Sequence, residues 1–138
     1  MTFLSNLAVG RAAAQIATFL FAVMIVVQML LAAGVLPISI AWGGRQTELT
    51  PALRVASMIA AVLLGAFLYV IRYRAGLWGS TPIPTAIRVL SWIITAFMAF
   101  NTLGNFASLN NTERFLFGPI TAALTIACFI VSVSSPEA

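Results

Sequence analysis

Four long apolar stretches dominate this sequence of 138 residues. Each can cross the hydrocarbon core of a bilayer as a helix, which takes about 20 residues. Only 7% of the residues are charged, whereas a soluble domain carries about 25%, so a water-facing surface could not be covered. Backbone amides in lipid must be satisfied within each segment, which favours helices. We therefore predict an all-α fold, an integral membrane four-helix bundle, with residues 1–138 forming a single transmembrane domain.

Turn-forming and capping residues set the predicted bounds of the helices. We expect helices at about residues 12–36, 51–74, 84–104 and 112–134. Ser5 is a candidate N-cap ahead of the first helix. Thr50 is the predicted N-cap of the second, and Pro51 fits the first helical position because its missing N–H is not needed there.

The start of the fourth helix follows from two residues that precede its proline. Asn110 and Glu113 have the spacing of a capping box. A helix beginning only at Pro119 would be short for a span. We therefore predict the earlier start, with a kink at Gly118–Pro119.

The arginines decide the predicted orientation. All basic residues are arginine, all acids are glutamate, and histidine is absent. The helix order puts four arginines at the end that carries both termini and three at the other: Arg11, Arg72, Arg74 and Arg88 against Arg45, Arg54 and Arg114. The positive-inside rule then favours a multi-pass protein of the cell membrane with both termini in the cytoplasm, and because the difference is a single arginine the alternative of dual topology stays open. Membrane-edge arginines attract anionic lipids, and without a clustered basic face no nucleic-acid partner is expected.

Two asparagines in the third helix are the strongest functional signal. Asn101 and Asn105 lie one turn apart on one face, and an amide in hydrocarbon must find partners. The loop charges at that end, with two threonines of the next helix, are expected to ring a polar mouth. The candidate site residues are Asn101, Asn105, Thr121, Thr125, Arg45, Glu48, Arg54, Glu113 and Arg114. Such a mouth would bind a small molecule or an ion. The alternative, that the amides only bridge helices, is favoured because uncharged polar residues commonly do so, each bond contributing ~0.6–2 kcal/mol.

Rows of small residues predict how the helices pack, because association in lipid depends on close backbone approach. Three rows have helical spacing: Ser57, Ala61 and Gly65; Thr121, Thr125, Cys128 and Ser132; and Gly10, Ala14, Thr18 and Ala22. We expect these rows to hold the bundle together, although a pore lining would look similar.

The sequence lacks the residues that several kinds of metal-binding and catalytic site require. With no histidine and one cysteine, the chain has no zinc or haem site of ordinary ligand type. Without lysine or a Ser–His pair it has no conventional hydrolase machinery, and no carboxylate lies mid-membrane for proton coupling. We expect neither a cofactor nor an enzyme.

Residues 100–106, Phe-Asn-Thr-Leu-Gly-Asn-Phe, resemble the Asn-containing helix of the small fluoride channels. The resemblance covers seven of 138 residues, lies on a later helix than in that family, and lacks the family's Gly- and Thr-rich companion motifs. It therefore implies no activity. The whole pattern is similar to that of many small bacterial membrane proteins, which implies a bacterial inner membrane.

Three roles follow from these features. The leading hypothesis is a small polytopic membrane protein that is non-enzymatic and acts as a membrane subunit or self-associating bundle, with a homo-oligomer or larger membrane complex as its assembly. The small-residue rows and the lack of a soluble domain motivate it. The alternatives are a transporter or channel for an ion or polar solute, with its mouth at Asn101 and Asn105, and a binder of lipid or another hydrophobic ligand.

Overall fold

The computed structural model describes residues 6–134, and this part of the chain contains no strand. Four helices are long and apolar enough to cross a membrane, which confirms the all-α four-helix bundle and fits a small multi-pass membrane protein. The helices are α1 (Leu7–Ala33), α2 (Pro51–Arg74), α3 (Thr85–Phe106) and α4 (Gly118–Val133). Two 3-10 turns, Ile38–Ile40 and Trp42–Gly44, lie between α1 and α2, and a π-helical turn, Glu113–Phe117, precedes α4.

The first helix begins and ends earlier than predicted. Asn6 is its N-cap, because the Asn6 side chain accepts a hydrogen bond from the Ala8 N–H at 2.8 Å. The predicted cap, Ser5, lies outside the described residues. At the other end Gly34 takes the left-handed conformation (φ 80°) that closes a helix. The prediction missed this end because the apolar run continues beyond the glycine.

The start of α2 is as predicted. The Thr50 hydroxyl accepts a hydrogen bond from the Leu53 N–H at 3.2 Å, and Pro51 is the first helical residue. These two residues define the boundary without help from the rest of the fold, so local sequence was sufficient to locate it.

The chain enters the fourth helix through a widened turn. The Asn110 side chain accepts the Thr112 N–H at 2.7 Å, so the helical path starts before the proline, and the π-helical turn lies just before the predicted kink. The capping box is not completed directly. The Ser108 hydroxyl accepts the Asn110 N–H at 3.1 Å and donates to the Glu113 carboxyl at 2.6 Å. Ser108 therefore bridges Asn110 and Glu113, the two residues of the predicted capping box.

The four helices do not pack equally. α1 lies against α2 and α4, and α3 against α4, whereas α2 and α3 contact each other least of the neighbouring pairs. The side chains of Phe21, Ile71, Met98 and Leu124 are fully buried, and they form the core in the middle of the bundle and in the half nearer the termini. The other half of the α2–α3 contact is left open.

The small-residue rows behave differently from one another. On α4, Thr121, Cys128 and Ser132 are buried, as packing requires. On α2, Ser57 is buried, but a side chain added at Gly65 would meet no described atom within 4 Å. The expectation that the α2 row holds this bundle together is therefore wrong at Gly65, because no neighbouring helix approaches it.

Two arginines expected at the membrane edge are tied into the fold. Arg74 is only 4% exposed, and its Nη2 donates to the backbone carbonyls of Ser132 and Ser134 at 2.8 and 2.9 Å. Arg72 donates to Gln15 on α1 at 2.8 Å. Arg74 is buried there because the end of α4 presents carbonyls that a cation satisfies.

Candidate functional site

A cavity of about 280 Å³ lies in the half of the bundle away from the termini. Most of its wall is apolar and comes from α1, α2 and α3. Polar side chains reach it at four positions: Gln28, Asn101, Asn105 and Glu113. Aromatic rings reach it at three: Trp42, Phe97 and Phe117. Small-molecule sites of roughly 300–1,000 Å³ have this composition, a mainly apolar wall with a few placed polar groups.

The roof of the cavity is the loop between α1 and α2. Trp42, Gly43 and Gly44 have consecutive positive φ values of 55°, 85° and 76°. A positive φ is rare for a bulky residue and costs about 1–3 kcal/mol, so the surroundings must hold it. The Trp42 indole N–H donates to the Ser57 hydroxyl at 3.3 Å, and the Leu109 N–H donates to the Gly43 carbonyl at 3.3 Å. The first bond anchors the indole to α2, and the second ties the loop backbone to the segment that follows α3.

Asn105 belongs to both the cavity and the α3–α4 contact. It is 7% exposed, and its Nδ2 donates to the Thr121 hydroxyl at 3.1 Å. The Thr121 proton is already directed at the Phe117 carbonyl, 2.9 Å away, so the Thr121 oxygen can only accept. This fixes the orientation of the Asn105 amide. Its carbonyl oxygen is left without a described partner in a residue that lines the cavity.

Glu113 is the charged side chain of the wall. It is 6% exposed, and the Ser108 hydroxyl donates to its carboxyl. No ion pair joins it to any arginine among residues 6–134. The neighbouring Arg114 is exposed and its guanidinium lies 5.4 Å from the centre of the Phe115 ring. A carboxylate buried without a cation is unfavourable, and hydrogen bonds from the Ser108 hydroxyl and the Gly43 backbone offset part of this cost.

Two further amides in the wall lack partners. The Gln28 Oε1 atom is buried and accepts no hydrogen bond. Asn101 is half-buried, and its side chain makes no hydrogen bond to the described residues. Unsatisfied polar groups at membrane depth cost several kcal/mol each. An occupant of the cavity would reach the half-buried Asn101 amide, whereas the Gln28 Oε1 atom has almost no exposed surface.

The mouth of the cavity lies between α2 and α3. Leu63 on α2 and Phe97 on α3 line the cavity and are 41% and 46% exposed. Gly104 lies beside them, and a side chain there would meet no described atom within 4 Å. Toward the termini, the fully buried Met98 and Leu124 close the bundle. The cavity is therefore a pocket with a lateral opening rather than a pore.

The structure brings together only part of the predicted site. Asn101, Asn105 and Glu113 line the cavity, while Thr121 lies behind Asn105. Thr125 lies 3.2 Å from Thr102, beside a separate shallow groove. The remaining predicted residues are exposed and do not line the cavity: Arg45, Glu48, Arg54 and Arg114. They do not ring the asparagines, because the loop places Trp42 and Gly43 over the cavity.

Sequence reasoning missed several residues of the wall. Gln28 was a usable signal, because it is an isolated amide deep in an apolar helix. Trp42 followed by two glycines was a second one, since that pattern favours a turn that aims a large ring. Phe97 and Phe117 gave no signal, because apolar residues surround every helix of this chain.

Comparison with known proteins finds no family model, no curated protein and no solved structure that matches this chain.

Proposed function

We propose that this protein is a non-enzymatic membrane protein that binds a small amphiphilic molecule in the cavity beneath Trp42. The observation that carries the proposal is the combination of unpartnered polar groups inside with an opening between α2 and α3. The polar end of the ligand meets Asn101 and Asn105, and its chain leaves past Leu63 and Phe97 into lipid. At about 280 Å³ the cavity is small for a whole lipid but sufficient for a headgroup.

Trp42 gives a direct test of binding. With Trp78→Phe and Trp92→Phe, the indole in the cavity wall becomes the only tryptophan of the chain. We expect a spin-labelled amphiphile, titrated into nanodiscs that hold this variant, to quench Trp42 fluorescence with saturation at low mole fraction. Quenching that grows linearly with bulk quencher would contradict a defined site.

Two glycines supply a matched pair of control variants. Gly104 lines the cavity and Gly65 does not, and a side chain at either would meet no described atom within 4 Å. Gly104→Leu should fill the mouth and abolish saturable quenching, whereas Gly65→Leu should leave it unchanged. Equal behaviour of the two variants would rule out the cavity as the binding site.

Self-association is the second candidate role, and the sequence alone favours it. The supporting observation is that Ala61 and Gly65 are only half-buried, with open space around Gly65. The backbone of another helix could approach closely there, as small-residue contacts in membranes require. Gly65→Leu should then abolish cross-linked dimers in native membranes while Gly104→Leu leaves them intact. A wild-type protein that stays monomeric in mild detergent and cross-links to nothing would refute this role.

A further inference from the structure

The polar groups of the cavity share one property. Its carboxyl, Glu113, has no cation partner among the described residues. The Asn105 carbonyl oxygen is left free because its Nδ2 is committed to Thr121. The Gln28 Oε1 atom is buried without a donor. The wall therefore offers a ligand the Asn105 carbonyl oxygen and one carboxyl, Glu113, which accepts hydrogen bonds from Ser108 and the Gly43 backbone but has no countercharge among residues 6–134. The Gln28 Oε1 atom itself has almost no exposed surface.

From this pattern we propose that the ligand carries an organic ammonium group, held by the Glu113 carboxylate inside the cavity. The inference rests on the proposed binding of an amphiphile and names the chemistry of its polar end. An ammonium supplies the countercharge that a buried carboxylate lacks and donors for the free oxygens. It also suits the rings of Trp42 and Phe117, because cations are attracted to aromatic faces.

An inorganic cation fits this wall less well. The described residues contain no group of three or more metal-ligating His, Cys, Asp or Glu side chains. The cavity is far larger than one ion requires, at about 280 Å³, and most of its wall is apolar. An apolar wall with a single carboxylate matches an ammonium that continues into a hydrocarbon chain, which is the shape the lateral mouth between α2 and α3 admits.

Glu113→Gln is the central variant, because the Gln amide oxygen still accepts from Ser108 while the charge is lost. Binding is measured by Trp42 fluorescence, in the background without the other tryptophans, in nanodiscs of phosphatidylglycerol, which contain no ammonium. The probes are decylammonium, decyltrimethylammonium and neutral decanol. We expect the wild type to bind both cations more tightly than decanol, and decylammonium roughly 10- to 100-fold more tightly, the range for a hydrogen bond to a charged group. Decyltrimethylammonium supplies the charge without an N–H donor and therefore reports the contribution of charge alone.

Two variants separate the charge of Glu113 from its hydrogen bond to Ser108. Glu113→Gln should abolish the preference for cations and retain decanol binding. Ser108→Ala, which removes the hydrogen bond to Glu113 but leaves the carboxylate, should keep the preference. A preference that survives Glu113→Gln would overturn the inference. If that variant fails to fold, the comparison of decylammonium with decanol on the wild type still decides, because equal affinities refute the inference.

The outcomes also distinguish this inference from the proposed function. If all three probes bind equally and Gly104→Leu abolishes binding, the cavity binds amphiphiles but does not select ammonium. If none of them binds, the proposed function itself fails. Stabilisation by sodium chloride alone, dependent on Glu113, would assign the carboxylate to an inorganic cation and overturn the inference.

Lipid and free amphiphile are the two sources of such a group. Native mass spectrometry of protein released from mixed phosphatidylethanolamine and phosphatidylglycerol nanodiscs separates them. Enrichment of phosphatidylethanolamine on the wild type, lost in Glu113→Gln, assigns the site to the lipid headgroup. Tight binding of decylammonium without such enrichment assigns it to a soluble amphiphile.

Discussion

The two sides of α3 form contacts of opposite character. Toward α4, polar side chains meet in pairs: Thr95 with Ser132, Thr102 with Thr125, and Asn105 with Thr121. Toward α2, the contact is sparse, and the cavity and its mouth occupy the gap. We call these the closed seam (α3–α4) and the open seam (α2–α3).

The difference shows how one helix serves both structure and binding. Apolar burial gains little between helices in lipid, so close packing and satisfied polar groups hold the closed seam together. The open seam has neither close packing nor satisfied polar groups. A side chain at Gly104 would meet no described atom within 4 Å, and the Asn101 side chain makes no hydrogen bond to the described residues. A ligand can bind at the open seam because few contacts between α2 and α3 have to be broken to admit it.

The largest expected difference between the seams is in packing. Leu124 on α4 is fully buried, whereas Leu63 on α2 lines the cavity and is 41% exposed. Leu124→Ala should destabilise the bundle by about 2 kcal/mol or more, because a void forms in a packed site. Leu63→Ala should cost no more than about 0.5 kcal/mol. Unfolding by SDS in mixed micelles, followed by circular dichroism, measures both, and similar losses would mean that the seams do not differ.

The two asparagines should differ by a smaller amount. Asn105→Leu removes the hydrogen bond to Thr121 and should cost ~0.6–2 kcal/mol. Asn101→Leu should change stability by less than about 0.5 kcal/mol, because no described bond is lost, but it should weaken the quenching of Trp42 by the spin-labelled amphiphile. The same unfolding assay with the fluorescence titration tests this. If Asn101→Leu lowered the stability and Asn105→Leu did not, Asn101 and not Asn105 would be the amide that stabilises the bundle.

The smallest expected effect lies within the closed seam. The hydroxyls of Thr102 and Thr125 are 3.2 Å apart, but each donates to a carbonyl of its own helix, Met98 and Thr121 respectively, at 2.8 Å. With both protons committed, the contact joins two acceptors. A double-mutant cycle with valine at both positions should therefore give a coupling energy below about 0.3 kcal/mol. A coupling above about 1 kcal/mol would show that one hydroxyl turns to bond across the seam.

Much of the local structure could be predicted from short stretches of sequence. The apolar runs predict the helices because a backbone in lipid has to satisfy its own hydrogen bonds. The boundary at Thr50 and Pro51 was found because a cap and its proline act within one turn. Asn110 was found for the same reason. The end of α1 at Gly34 was missed because hydropathy continues beyond the glycine that turns the chain.

The candidate site could be predicted only in part. Asn101, Asn105 and Glu113 were identified, because polar groups stand out in an apolar sequence. The exposed loop charges do not line the cavity, since sequence position says which end of the bundle a residue occupies and not which way the loop turns. Gln28 needed the packing of α1, because its neighbours come from distant parts of the chain.

By itself, the sequence determined that this chain forms apolar helices of membrane length, and where two of them start, because these properties depend on composition and on neighbours within one turn. The tertiary structure decided which of the two amides bonds to a neighbouring helix. Asn101 and Asn105 are the same residue type one turn apart and both line the cavity, but only Asn105 has a described hydrogen-bond partner. That choice depends on which helix lies alongside each of them. Residues close in sequence cannot specify this, because the groups that are available to hydrogen-bond with each amide belong to other helices.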